Sequence, residues 1–506
     1  MTDRSKLKSP KMGKMAASGE SGGGILGYRH LLLALLFLCT FTAFVLRVNI
    51  NIAILDMMDV PADVCQNNTN AKHVFYKGRT RFCWSETEKG WILGAFFYGY
   101  IIPQIPGGAL SERIGSKMVL GISLLITSIL GMLTPVAARW GAWSLFAQRV
   151  LQGLVSGVTY PSLPPIIKRW SLASELSTFI SVSNVGGTFG TCVTYPIGGI
   201  ILQHWGWEAV FYVSGAFGVA WFVLWMVFAS NDPTLNRFIS VGESKRILME
   251  RKQFSESKTS LFPPMHKIAA IPTVWITAMS DFGQSIATYF IITEGPTFIH
   301  NILHQDIAAN GFLSMLPSLS SFLYSQLFGF TSDYIGRKGW LSKSSSILLF
   351  EGISMVIPGI GCFMLTFFTD KFTPVMFTLV VVLGTRAGVY AGRYRVVPYE
   401  ILPDHAGPTF GMMNMIGQSS GFVTPLITSA FTSYNPYDPA GWNNLFYTGA
   451  ALLIVPYIVF FFFARFKPVQ ISDIPNVASR NNDKDSSTNI DTKSLPDNRS
   501  ISEQHV

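Results

Sequence analysis

Apolar runs of bilayer length alternate with short polar turns along almost the whole chain. Leu31–Leu46, Met118–Val136, Phe211–Ala229 and Leu445–Phe463 each approach the ~20 apolar residues that a bilayer span requires. The pattern predicts twelve spans, at roughly 31–57, 90–110, 117–137, 142–166, 177–202, 208–230, 272–298, 310–331, 345–368, 374–398, 408–432 and 441–465. Many contain proline (Pro103, Pro106, Pro161, Pro196, Pro317, Pro358, Pro425), which membrane helices tolerate better than soluble ones. The first run is too long for a signal-peptide core and lacks a small-residue cleavage site, so it reads as a retained helix.

The polar turns carry a repeat. Gly-Ala-Leu-Ser-Glu-Arg-Ile-Gly-Ser-Lys at 108–117 returns as Gly-Phe-Thr-Ser-Asp-Tyr-Ile-Gly-Arg-Lys at 329–338, an offset of 221 residues. Gly108 matches Gly329, Glu112 matches Asp333, Gly115 matches Gly336 and Lys117 matches Lys338; Arg113 and Arg337 add charge to each copy. The repeat divides the chain into two similar halves. Its expected role is a latch, with glycines letting helix ends approach and charge pairs holding one closed state.

Composition agrees with the pattern. The chain is 49% hydrophobic and 13% charged, about half the charge of a soluble domain. Of its Lys and Arg, 26 fall in the tails and the loops on the same side, and 7 on the opposite side. That bias places both termini in the cytoplasm. The expected organisation is a disordered tail at 1–28 and a six-helix bundle at 29–230 with an extracytoplasmic loop at 58–89. A connector at 231–271, with a short surface helix near Glu243–Gln253, leads to a second bundle at 272–465 and a disordered tail at 466–506. The net charge of +9 is not gathered on one soluble face, which argues against a nucleic-acid partner.

Cys65 and Cys83 lie in the 58–89 loop, where a disulfide is permitted; two free thiols are the alternative. Asn67-Asn68-Thr69 in that loop is an N-glycosylation acceptor at Asn67.

Ionisable groups inside the spans are the candidate chemistry, because an arginine near a helix centre costs about 2.5–3.5 kcal/mol on the insertion scale. Arg47 and Asn51 share a face of the first span, and Arg149 begins a stripe continued by Gln152 and Ser156. An arginine fork matches a carboxylate or phosphate, so both cations read as contacts to an anionic substrate. The alternative is that each is braced by a carboxylate from another helix. Arg386 is balanced between lining the cavity and bracing Asp281 or Glu351, while Arg395 is close enough to the membrane surface to reach headgroups. Asp281, Glu294 and Glu400 are the candidate coupling or gating acids.

The run Gly90-Trp-Ile-Leu-Gly-Ala-Phe-Phe-Tyr-Gly-Tyr-Ile-Ile-Pro-Gln-Ile-Pro-Gly-Gly108 resembles helix two of the anion-transporter branch of the major facilitator superfamily. That branch includes sialin, the vesicular glutamate transporters and the type I sodium–phosphate cotransporters. Arg149-Val-Leu-Gln-Gly-Leu-Val-Ser-Gly-Val-Thr-Tyr-Pro161 resembles its helix-four signature, Gly206–Gly215 the start of its helix six, and Arg47-Val-Asn and Asn310-Gly-Phe-Leu-Ser fit helices one and eight. The resemblance implies an all-α membrane protein of twelve helices in two pseudo-symmetric six-helix halves. It also implies that Arg47 and Arg149 meet the anion while Tyr100 lines the cavity; Gln284 and Tyr289 are further candidates. Three positions depart from the family's pattern. Ser156 stands where proton-linked members carry glutamate, Pro164 where they carry histidine, and Val397-Pro-Tyr-Glu400 replaces Asn-His-Leu-Asp. The vesicular glutamate transporters' helix-seven arginine corresponds to Gln284, and their helix-two histidine to Leu93.

The expected function is secondary active transport of a small organic or inorganic anion by alternating access, coupled to sodium, protons or membrane potential. A channel-like anion conductance and a transport-dead receptor or scaffold are the alternatives. No nucleophile–base pair, metal-ligand spacing or phosphate-cradling loop is present in the sequence, so neither enzyme activity, a cofactor nor a metal is expected. The expected partners are the substrate and membrane lipid, with the monomer as functional unit, in the plasma membrane or a vesicular or lysosomal membrane.

Overall fold

The computed structural model describes residues 27–67, 73–76, 78–172, 175–251, 265–390, 402 and 406–464. Glu400, Arg393, Arg395 and nearly all of both expected tails lie outside these residues, as do the side chains of Glu112, Asp333 and Asn67.

The first half contains α1 (Tyr28–Met57), α2 (Ala62–Asn67), a hairpin of β1 (Val74–Tyr76) and β2 (Arg79–Arg81), α3 (Glu86–Tyr100), α4 (Gln104–Ile114) and α5 (Ser116–Met132). It continues through α6 (Thr134–Trp140), α7 (Ala142–Ser156), α8 (Leu163–Trp170), α9 (Leu176–Trp205) and α10 (Trp207–Phe228). The connector carries α11 (Val241–Arg251) and α12 (Met265–Ala269). The second half contains α13 (Pro272–Tyr289), α14 (Gly295–Asn301), α15 (Ile307–Lys338), α16 (Lys343–Leu365), α17 (Phe372–Arg386), α18 (Ala406–Thr432) and α19 (Pro439–Phe463).

Six of these helices are long and apolar enough to cross a membrane by length and composition, and the α5–α6 pair, bent by 46°, makes a seventh. The other expected spans are interrupted or more polar. Pro103 separates α3 from α4, and a turn containing Pro161 separates α7 from α8. A proline has no N–H to continue the ladder, so a break there follows from the covalent structure. A π turn at Phe290–Glu294 joins α13 to α14.

Helix pairing repeats across the chain. α1 packs on α9 and α10, α3 on α7, and α5 on α10; in the same order α13 packs on α18 and α19, α15 on α17, and α16 on α19. Between the halves α3 meets α18 and α9 meets α15. Exchanging the halves turns each of these two contacts into the other, which is the signature of a pseudo-twofold axis. Polarity is inside out relative to a soluble protein. Ile122, Ile126 and Ile129 face outward from α5, while Thr40, Asn49, Thr127, Gln148 and Gln152 are buried.

The end of the bundle that carries the termini is the tail face, and the other end is the loop face. At the loop face Cys65 is joined to Cys83. Asp56, fully buried at the end of α1, pairs with Arg79 at 2.9 Å and Arg81 at 2.7 Å, both from the hairpin. Arg79 also donates to the main-chain oxygens of Leu202 and Gln203, so the hairpin staples α1 to α9. At the tail face Glu243 of α11 accepts hydrogen bonds from the backbone N–H groups of Tyr28 (2.8 Å) and Arg29 (3.1 Å). A carboxylate there satisfies free donors at the start of α1 and complements its dipole. The expected surface helix of the connector is thus present as α11, and it is docked on the first half.

Candidate functional site

The site forms where α1, α3 and α7 face α13 and the π turn. Glycines set the distance between α3 and α7: a Cβ on Gly153 would overlap the main-chain oxygen of Phe96, and one on Gly99 that of Val150. Backbone contact at this spacing brings Arg149 beneath the ring of Phe96, with its guanidinium carbon 5.3 Å from the centroid.

Arg149 is 1% exposed. It donates to Gln152 Oε1 at 2.8 Å and to the main-chain oxygens of Leu46 at 3.3 Å and Arg47 at 2.9 Å. Gln152 in turn donates to the Thr127 carbonyl. Arg47 is caged by aromatic faces, at 4.2 Å from the Tyr100 centroid, 4.8 Å from Phe44 and Phe96, and 5.5 Å from Phe97. Cation–π contacts of this kind orient a guanidinium without neutralising it. Neither arginine has a carboxylate partner among the described residues, and the Nε of each is buried without a hydrogen-bond acceptor. The carboxylate brace considered from sequence is therefore absent for this pair among the described residues.

A cavity of about 20 Å³ between the halves is lined by Arg47, Asn51, Phe97, Arg149, Tyr289 and Ile292, among others. That is room for about one water molecule, so the site is closed down around its cations. Asn51 donates to the Ile292 carbonyl at 3.2 Å, and the Tyr195 hydroxyl bonds the same oxygen. Tyr289 donates to Gln418 at 2.5 Å and meets Phe97 edge to face at 4.6 Å.

Other sequence candidates stand elsewhere. Ser156 ends α7 and does not line the cavity. The stripe that Arg149 begins is cut there by the turn, beyond which Tyr160 meets Phe44 of the Arg47 cage edge to face. Gln284 is fully buried and donates to the Ser354 hydroxyl at 2.7 Å inside the second half. Asp281 packs against Gly417, where a Cβ would overlap its carboxylate. Arg386 ends α17 and does not itself line the cavity, although its charge reaches Tyr289, which does. Glu294 closes the π turn and is 2% exposed.

Among the described latch residues, Lys117 is engaged within its own half. Lys117 donates to the Met226 carbonyl at 2.9 Å and its backbone to Asn231 at 2.8 Å, which ties α5 to α10 within one half. Gly115 is needed for its φ of +98°, and Gly108 has only loose contact with Pro161. A Cβ on Gly329 or Gly336 would meet nothing within 4 Å, and Arg113, Arg337 and Lys338 make no ion pair to a described carboxylate. On the loop-face side of Arg47 the halves meet through α1 against the π turn and α14; on its tail-face side α18 meets α4, with Asn414 donating to Gln104 Oε1 at 3.3 Å.

Sequence reasoning did not single out Tyr195, the Ile292 carbonyl or the Phe44–Phe96–Phe97 cage. Tyr195-Pro196 inside an apolar run was the one available signal, since a buried tyrosine hydroxyl needs a partner.

Comparison with known proteins gives consistent matches. A family model described as Major Facilitator Superfamily matches residues 36–425. Sialin of Homo sapiens is 32% identical over 448 residues, covering 86% of this chain and 89% of sialin. Vesicular glutamate transporter 2.2 of Danio rerio is 30% identical, over 80% of this chain and 68% of that protein. Sodium-dependent phosphate transport protein 3 of Mus musculus is 28% identical, over 88% and 95%. Among solved structures, a bacterial homolog to the human lysosomal transporter Spinster, in an inward-facing, unoccupied conformation, superposes with a TM-score of 0.64 at 15% identity, covering 90% of this chain and all 100% of that one. A D-xylose–proton symporter gives 0.63 at 14% identity, over 87% and 98%.

Proposed function

The chain belongs to the major facilitator superfamily, and from that premise we propose that it transports a small organic or inorganic anion by alternating access. It is an integral membrane transporter, not an enzyme. The observation that carries the anion reading is the pair of buried guanidiniums, Arg47 and Arg149, with no carboxylate partner among the described residues. Each cation costs insertion energy that its aromatic and main-chain contacts only partly offset, and an anion arriving between the halves completes the site. Arg47 offers its free edge to the anion, Asn51 and Tyr289 border it, and Arg149 holds the backbone beneath Arg47. The relatives named as glutamate and phosphate transporters carry anions, which supports the reading.

The tail face is cytoplasmic on this reading, in keeping with the loop charges, and the protein works as a monomer in contact with lipid, in the plasma membrane or a vesicular or lysosomal one. The described arrangement then corresponds to a molecule shut on its extracytoplasmic side. Uptake into proteoliposomes from a panel of phosphate, sialate, glutamate, aspartate and urate tests the proposal, with sodium and proton gradients imposed separately. Saturable accumulation of one anion, lost in Arg47→Ala, is the expected result. Non-saturating flux that never exceeds equilibrium identifies a conductance instead, and accumulation of a cationic or neutral solute alone overturns the anion reading.

A further inference from the structure

Glu294 is a carboxylate left without a partner at the hinge between the halves. It is 2% exposed, and among the described residues no hydrogen bond or ion pair reaches it. The charged groups whose fields act on it are Lys89 and Glu86 of α3. These two are already paired with each other at 3.0 Å. The other elements around the turn present neutral donors, Asn51 from α1 and Tyr195 from α9, and both are spent on the Ile292 carbonyl.

A second polar group nearby in the chain is buried without a partner. Thr297 lies three residues on, its hydroxyl buried at 2% residue exposure with no hydrogen-bond partner. Residues three apart in a helix share a face. The π turn adds a third feature, because the Gly295 N–H reaches back to the Phe290 carbonyl instead of making an α-helical bond. Single π turns inside helices mark functional positions. A buried anion, an idle hydroxyl and an irregular backbone at one point call for a small cation.

We infer that Glu294 is a monovalent-cation site, taking up a proton or Na⁺ at the turn that ties the two halves together. Occupancy neutralises a carboxylate buried in the closed loop face and so favours closure; release of the cation favours opening. The coupling consequence rests on the transport reading above, but cation binding itself does not.

The test is the thermal midpoint of the purified full-length protein in nanodiscs, which needs no transport substrate. One arm raises NaCl against choline chloride at pH 8; the other lowers pH from 8 to 6 without sodium. One arm is expected to raise the midpoint by about 3 °C or more, and Glu294→Gln to lose at least half of that rise. Thr297→Val assigns the source: a Na⁺ response needs the hydroxyl oxygen and falls, whereas a proton response survives. Should Glu294→Gln not accumulate, Glu294→Asp must shift the midpoint concentration or pH of the response at least about threefold. A parent that responds in neither arm, a Glu294→Gln protein with the full response, or an unshifted Glu294→Asp protein overturns the site. Failure of the anion panel alongside a Glu294-dependent response would sink the substrate reading and leave this one standing.

Discussion

Arg149 holds the main-chain oxygen of Arg47 at 2.9 Å, so one buried cation fixes the backbone that carries the other. The two arginines are thus not equivalent. Arg47 touches rings and the cavity, while Arg149 satisfies the carbonyls of Leu46 and Arg47 and the amide of Gln152.

Substitution should separate them. Arg47→Ala is expected to fold with near-parental stability and to lose transport almost completely. Arg149→Ala should lose transport and also about 1–3 kcal/mol of stability, because it strands buried acceptors. Arg149→Lys, which cannot form the fork, should resemble the alanine variant in transport. Uptake and thermal midpoints of the same preparations decide it; equal destabilisation by Arg47→Ala would assign that residue to bracing.

Gly153→Ala should be more damaging than its one added methyl suggests. Its Cβ overlaps the Phe96 carbonyl, which belongs to a backbone and cannot rotate away. α3 and α7 must then separate, and Arg149 moves with α7. Overpacking of this kind costs about 1–3 kcal/mol. We expect a lower thermal midpoint and reduced uptake together, whereas Gly242→Ala, with nothing within 4 Å, should change neither.

The ion pair between the starts of α1 and α9 carries a pH dependence. Glu175 is held below the usual carboxylate range chiefly by its hydrogen bond from Arg29 at 2.7 Å, against the opposing effect of partial burial. A depressed carboxylate stabilises the folded protein fully above its unfolded pKa and loses that contribution as pH falls through the depressed value. Parent and Glu175→Gln proteins should therefore differ in thermal midpoint at pH 7 and converge below about pH 4. The difference will be modest because the pair is partly solvated. Convergence at alkaline pH instead would remove the account.

How much of this was legible in the sequence follows from what each feature depends on. The twelve spans and the two halves depend on composition and repetition, which a sequence displays directly. Arg47 and Arg149 were legible because a cation inside an apolar run is costly wherever it ends up. The aromatic cage was hidden, since Phe44, Phe96 and Phe97 look like ordinary lipid-facing residues until α1 and α3 are packed. Gln284 and Ser156 stand off the cavity in this arrangement for the same reason: their rotation about the helix axis, set by Ser354 and by the turn after α7, is tertiary information. The latch repeat was visible, but its engagement depends on which face of the bundle is shut, and a sequence does not carry a state.

The cross-half tie at Ile292 gives the last test. Tyr195 and Asn51 reach across from the first half to one carbonyl in the π turn of the second. Nothing else described in this way links a side chain of the first half to the backbone of the hinge. Tyr195→Phe keeps the ring, and therefore the packing of α9 on α15, but removes one hydrogen bond worth about 1 kcal/mol. That corresponds to roughly a fivefold shift from loop-face-closed to loop-face-open molecules. A cysteine introduced by Thr293→Cys, beside the tie and on the cavity wall, reports the shift. An impermeant thiol reagent applied from the loop side should label it about five times faster with Tyr195→Phe, and faster still with Asn51→Ala added. The native Cys39, Cys192 and Cys362 are buried and should stay unlabelled. Unchanged labelling in the double variant would show that the loop face is held shut by packing alone.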